Sequence, residues 1–174
     1  ATVLGTMIAF AIGRNRFRGR STTNLLIFLP MATPEVVLGA SLLALFLNMR
    51  INPGFWTIVI AHVMFCISFV VVTVKARIAG LDPRLEQAAM DLYANERETF
   101  RYVTLPLVAP GIFGAALLSF SLSFDDFIIT NFNSGIVTTF PKFVYVSAAR
   151  GIPAQANVIG SSMFFIALII VIVG

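Results

Sequence analysis

From Phe55 to Val74 the chain runs 20 residues without a formal charge, and Leu105–Phe124 is a second such run of 20. An α-helix rises about 1.5 Å per residue, so about 20 apolar residues cross the roughly 30 Å hydrocarbon core of a bilayer. Leu25–Asn48 adds 24 residues holding one charge, Glu35, and two prolines, Pro30 and Pro34. Thr2–Gly13 and Asn157–Gly174 read as two further spans cut by the ends of the sequence. Ala1 is not a start methionine, so the chain reads as a piece of a longer protein, one domain over residues 1–174. The expected fold is all-α and polytopic, with about five transmembrane helices. The supply of charge agrees: only 11% of residues are charged and 58% are hydrophobic. Soluble domains average roughly 25% and 45–50%. This chain has too little charge to coat a water-facing surface.

The basic residues are unevenly distributed. Arg14, Arg16, Arg18 and Arg20 crowd the first connection, and Lys75, Arg77, Arg84, Arg97 and Arg101 the third. The second holds only Arg50, the fourth only Lys142 and Arg150. Positive charge is retained on the cytoplasmic side of membranes, so the first and third connections are expected there. The excess of basic residues is thus an orientation signal and not a nucleic-acid stripe, which would interleave with stacking aromatics. A single cysteine, Cys66, and a single histidine, His62, allow neither an intrachain disulfide nor a multi-histidine metal site. Both read as packing residues of Phe55–Val74.

The connection from Lys75 to Thr104 is too long and too patterned for a plain turn. Asp82-Pro83 is a helix start: Asp accepts from free amides, and Pro suits the first helical position. Leu85, Ala88, Ala89 and Leu92 then fall at i, i+3, i+4 and i+7, one apolar stripe with Glu86 and Asp91 beside it. Asn95 followed by Glu98 has capping-box spacing and opens a second short helix through Phe100, Tyr102 and Val103. Pro106 and Pro110 punctuate the return to the membrane. The pair is either an amphipathic element resting on lipid or a docking surface for a protein. Its half-alanine stripe and acidic flanks favour docking.

These residues carry a resemblance. Glu86-Gln87-Ala88-Ala89-Met90-Asp91-Leu92-Tyr93-Ala94, followed by Leu105-Pro106, resembles the "EAA" loop. That loop belongs to permease subunits of binding-protein-dependent ABC importers, which have the MetI-like fold. The family pattern is Glu-Ala-Ala, Gly after three more residues, and a downstream Leu-Pro. The chain departs from it at Gln87, where Ala is usual, and at Tyr93, where Gly is usual. The resemblance implies a coupling element seated on a separate ATPase, with Glu86 as polar anchor and Ala88, Ala89, Asp91 and Leu92 at the contact. It implies two ABC ATPase subunits, a second homologous permease subunit, an external substrate-binding protein, and a place in a bacterial-type inner membrane. The chain has no G-x-x-x-x-G-K-[ST] motif, so ATP and Mg are expected on the ATPase partner and no cofactor on this chain.

Acids within the spans suggest the cargo. Glu35 falls roughly 20 Å into its span, taken as a straight helix of about 1.5 Å per residue. It is either a pathway acid or a charge neutralised by a neighbouring helix. Asp125 and Asp126 end the expected helix Leu105–Phe127, beside Ser119, Ser121 and Ser123. They form either a water-facing pair or an acidic mouth that attracts a cation. Leu118–Asp126 and Pro34–Gly39 resemble the corresponding stretches of spermidine/putrescine-type permeases, which implies polyamine cargo. Trp56, Phe120, Phe124 and Phe127 offer cation–π faces or ordinary packing. The external connection, residues 131–156, is expected to hold a short helix over Pro141–Arg150, with Phe143, Val146 and Arg150 on one face; the resemblance implies that it meets the binding protein, and on the residues alone it is equally a solvated connector.

Two other classes remain open. One is a permease for another small solute; the other is a proton-coupled secondary transporter using Glu35 or Asp125. The latter lacks a convincing internal repeat and leaves the 75–104 connection without a purpose. An intramembrane enzyme finds no nucleophile–base pair here and no G-x-S-x-G elbow.

Overall fold

A computed structural model describes residues 1–14, 17–148, 151 and 154–173. Arg16, Arg150 and Gly174, each used above, lie outside the described residues. Every regular element among the described residues is helical: α1 (Thr2–Arg14), α2 (Arg20–Ala32), α3 (Glu35–Asn48), α4 (Phe55–Ala79), α5 (Pro83–Asp91), α6 (Glu96–Thr99), a π turn (Phe100–Thr104), α7 (Leu105–Asp125), α8 (Ile128–Asn133), α9 (Phe140–Ala148) and α10 (Ala154–Val173).

α4 is the central post. It is apolar all round, as a helix must be when other helices cover it on several sides. α1 runs parallel to it, with Gly5 against Val70 and Gly13 against Ile78. A β-carbon on Gly5 would lie 2.6 Å from Val70 Cγ1, so glycine is what lets these two backbones approach. α7 and α2 run antiparallel to α4: Arg77 Nε donates to the Leu107 carbonyl at 3.0 Å, and Lys75 Nζ to Asn24 Oδ1 at 2.8 Å. The ends bearing the basic connections therefore gather together, here called the basic end. One buried cluster there joins Ala9, Val70, Val74, Val108 and Ala115. A second, toward the opposite end, joins Leu38, Leu42, Phe46, Phe65 and Ile129.

Among the described residues, three helical spans (Phe55–Ala79, Glu96–Asp125 and Ala154–Ile172) are long and apolar enough to cross a membrane. Thr2–Gly13 is a shorter apolar helix. The expected straight helix over Leu25–Asn48 is corrected: α2 and α3, apolar and long enough together for one broken span, meet at 106°. Pro34 is the cause, because it clashes with the preceding turn and drives Thr33 into extended backbone, φ −80° and ψ 130°. The straight-helix depth assigned to Glu35 falls with it. Pro30, inside α2, does not end the helix.

The expected proline breaks after Val103 are also absent. α6, the π turn and α7 form one 30-residue span from Glu96 to Asp125. Leu105 N–H reaches back five residues to Phe100. The amide missing from Pro106 falls where the ladder returns to α spacing.

At the opposite end, residues 131–133 of the expected external connection belong instead to α8, and Asn133 is fully buried. Beyond it Gly135, at φ +54°, presses on the Pro53 carbonyl, which a β-carbon would meet at 2.5 Å. Lys142 Nζ ties this turn to α9, donating to Ser134 Oγ at 2.7 Å and to the Gly135 carbonyl at 3.0 Å.

Candidate functional site

The coupling segment is built by caps. Asp82 Oδ1 accepts from Arg84 N–H at 2.9 Å with Pro83 in the first turn, as the sequence dictates. Asn95 and Glu98 exchange reciprocal bonds, both 2.9 Å. Between the two helices, Ala94 N–H bonds the Ala89 carbonyl and Tyr93 N–H that of Met90, a Schellman ending. Tyr93 holds the left-handed position of that motif at φ 65°, a conformation that costs an L-residue about 1–2 kcal/mol. It is 98% exposed, and Leu92 beside it 81%.

That left-handed residue fixes the register of the family pattern. With Tyr93 in the place of the pattern's Gly, its Glu falls six residues earlier, on Gln87 and not on Glu86 as aligned above; Gln87 is exposed. Glu86, assigned above as the anchor, turns inward, and its Oε1 accepts from Thr104 Oγ1 at 2.6 Å. The tie joins α5 to the π turn at the foot of α7. Ala88 and Asp91 are exposed, while Ala89 is half-buried. Sequence reasoning missed Thr104, because nothing local links positions 18 apart.

The candidate pathway lies at the other end. Glu35, at the start of α3, and Asp125, at the end of α7, are both exposed and line one groove of about 750 Å³. Phe120, Phe124 and Phe127 line it with them, and α10 closes it with Gly160, Met163 and Phe164. Two carboxylates among aromatic rings offer a cation both Coulombic attraction and polarisable faces. Trp56 is not brought there; it stands 72% exposed at the start of α4, edge-on to Phe55.

Asp125 and Asp126 do not share a helix as expected. α7 ends at Asp125, and Asp126 has extended backbone, φ −66° and ψ 116°. Only 8% exposed, Asp126 accepts from Ile129 N–H at 3.2 Å and Thr130 N–H at 2.8 Å, opening α8. His62 completes the knot: Nε2 lies 3.3 Å from Asp126 Oδ2 and 2.8 Å from Thr130 Oγ1, and Nδ1 lies 2.8 Å from Ser123 Oγ. A proton on Nε2 faces the carboxylate and leaves Nδ1 to accept from the serine. His62 is therefore a tie among α4, α7 and α8, beyond the packing role assigned to it above. Nearby, Asn133 Nδ2 donates to the Gly39 carbonyl at 3.2 Å, and Thr57 Oγ1 lies 2.7 Å from the Asn133 carbonyl. Among the described residues no three His, Cys, Asp or Glu side chains converge as metal ligands.

All 174 residues match the family described as binding-protein-dependent transport system inner membrane component. The chain is 36% identical over 173 residues to the spermidine/putrescine transport system permease protein PotC of Haemophilus influenzae, covering 99% of this chain and 67% of that one. It is 38% identical over 169 residues to the putrescine transport system permease protein PotI of Escherichia coli K12, covering 92% and 60%. A PotC homolog of Mycoplasma genitalium is 33% identical over 170 residues, covering 95% and 60%. The chain thus spans 60 to 67% of the length of these relatives.

Proposed function

The chain belongs to the family of binding-protein-dependent transport system inner membrane components, and we propose that it is a permease subunit of an ATP-driven polyamine importer. It pairs with a second homologous permease, two ABC ATPase subunits that bind ATP and Mg, and an external binding protein that delivers spermidine or putrescine. The basic end faces the cytoplasm.

The observation that carries this reading is the continuous span from Glu96 to Asp125. At about 1.5 Å per residue it is a rod of about 45 Å. Thr104, eight residues in from its Glu96 end, ties it to the capped helix α5 through the bond to Glu86, and its far end bears an acid of the groove. Displacement of α5 by an ATPase is thereby delivered to the place where a polycation would sit. The docking face is the exposed side of the turn, Gln87, Ala88, Leu92 and Tyr93, with Glu86 as the internal tie. The groove serves polyamines because Glu35 and Asp125 offset the desolvation of two ammonium groups that no apolar wall could replace.

Reconstitution in proteoliposomes tests the proposal. Uptake of labelled spermidine or putrescine should require the ATPase, ATP and the binding protein together. Transport that persists without ATP, or that collapses with an uncoupler while ATP is held constant, would reject it. Asp125→Asn and Glu35→Gln should each slow uptake about tenfold, the effect of removing one desolvated charge contact worth about 1.4 kcal/mol. Glu86→Gln should leave the ATPase bound yet reduce transport per ATP hydrolysed.

A further inference from the structure

Asp125 faces a second cavity as well as the groove. On its outer side, about 380 Å³ of space lies between the end of α7 and α9. Two stacked aromatic pairs bridge these elements: Phe124 on Phe140 at 5.3 Å between ring centres, and Phe127 on Tyr145 at 4.1 Å. All four rings and Asp125 line the space. Phe124, Asp125 and Phe127 also line the groove, so the two cavities share a wall. An aromatic box around one carboxylate is the chemistry that recognises an organic ammonium: ring faces attract the weakly hydrated cation, and the acid balances its charge.

We propose that this box is an ammonium-binding antechamber, with Tyr145 of α9 as its outer wall, rather than only a packing contact between α9 and the bundle. The inference rests on the polyamine reading above. A diamine places one terminal ammonium in the box while the other advances toward Glu35, so neither charge is stripped of partners on the way in. Asp125 is the shared counter-charge across which the cation is handed on.

Equilibrium binding of radiolabelled spermidine to the whole assembled transporter in nanodiscs, with the binding protein omitted, tests the box. Tyr145→Leu should weaken binding about 3- to 10-fold, and Tyr145→Phe less than about 2-fold. Phenylalanines of increasing fluorination at position 145 keep the shape while draining negative charge from the ring face. The Kd should therefore rise stepwise along that series. A flat series, a Tyr145→Leu transporter that binds like the parent, or ATP-driven spermidine uptake without measurable binding in this assay would each overturn the antechamber. A parent transporter that neither binds nor takes up spermidine or putrescine would defeat the polyamine reading itself. A transporter that takes up both but shows the flat series would defeat the antechamber alone.

Discussion

The coupling segment and the far end of the molecule are held together by opposite means. In the coupling segment, the bonds of Asp82, Asn95 and Glu98 reach two or three residues along the chain and Glu86–Thr104 spans 18; the longer ties of the basic end, Arg77–Leu107 and Lys75–Asn24, join the spans above it. At the opposite end, Thr57 to Asn133, His62 to Ser123 and to Thr130, and Asn133 to Gly39 join residues 61 to 94 apart. Short-range ties form whether or not the bundle is assembled. Long-range ones close only when α3, α4, α7 and α8 are all in place, and they rise or fall together. The coupling segment is therefore a self-contained unit that can move as a body, and the far end is a cooperative knot that resists local rearrangement.

Substitutions at the two ends should break this contrast if it is false. The largest effect is expected from Asp126→Ala, which orphans the amides of Ile129 and Thr130 and leaves His62 without its acid. The loss should be about 2–4 kcal/mol, read as a lower melting temperature of the detergent-solubilised protein. Asp125→Asn, one residue earlier but exposed, should change stability by less than about 0.5 kcal/mol. Equal losses at both would erase the distinction between the adjacent acids. Gly135→Val comes next, at about 1–3 kcal/mol, since it forces a branched residue to positive φ against the Pro53 carbonyl; the same melting curve reads it.

Asp82→Ala should cost about 1 kcal/mol and only locally. Amide hydrogen exchange should quicken in α5 while the melting temperature of the bundle holds. A global loss would show that the segment is not self-contained. The smallest effect is expected from Tyr93→Gly, a local gain of about 1 kcal/mol that slows exchange at the end of α5.

The same contrast decides what was legible in the sequence. Three of the five expected spans, Asp82-Pro83 and the Asn95/Glu98 box are written in adjacent letters, and the structure keeps them. Pro34 stands in the sequence as a residue that interrupts a helix, yet its 106° does not, because the angle depends on what α3 packs against. The end of α7 was misplaced since Asp126 competes with the helix through its side chain, and only α8 and His62 make that bond worthwhile. The spacing of Asp126 to Ile129 and Thr130 is a capping signal, hidden inside an apolar run that reads equally well as uninterrupted helix. The groove brings α3 to α7 and α10, and Tyr145 reaches Phe127 from α9, which Lys142 ties to the Ser134–Gly135 turn. No local pattern encodes either approach.

The π turn at Phe100–Thr104 has a geometric consequence for everything beyond it. It carries one residue more than an α-helical turn would need, so excising one residue there would restore a regular ladder. The remainder of α7 would then be left rotated by about 100° relative to α5. Asp125 would swing off the groove although no residue near it had changed. The widened turn thus sets the angular phase between handle and mouth, like the offset ground into a crankshaft.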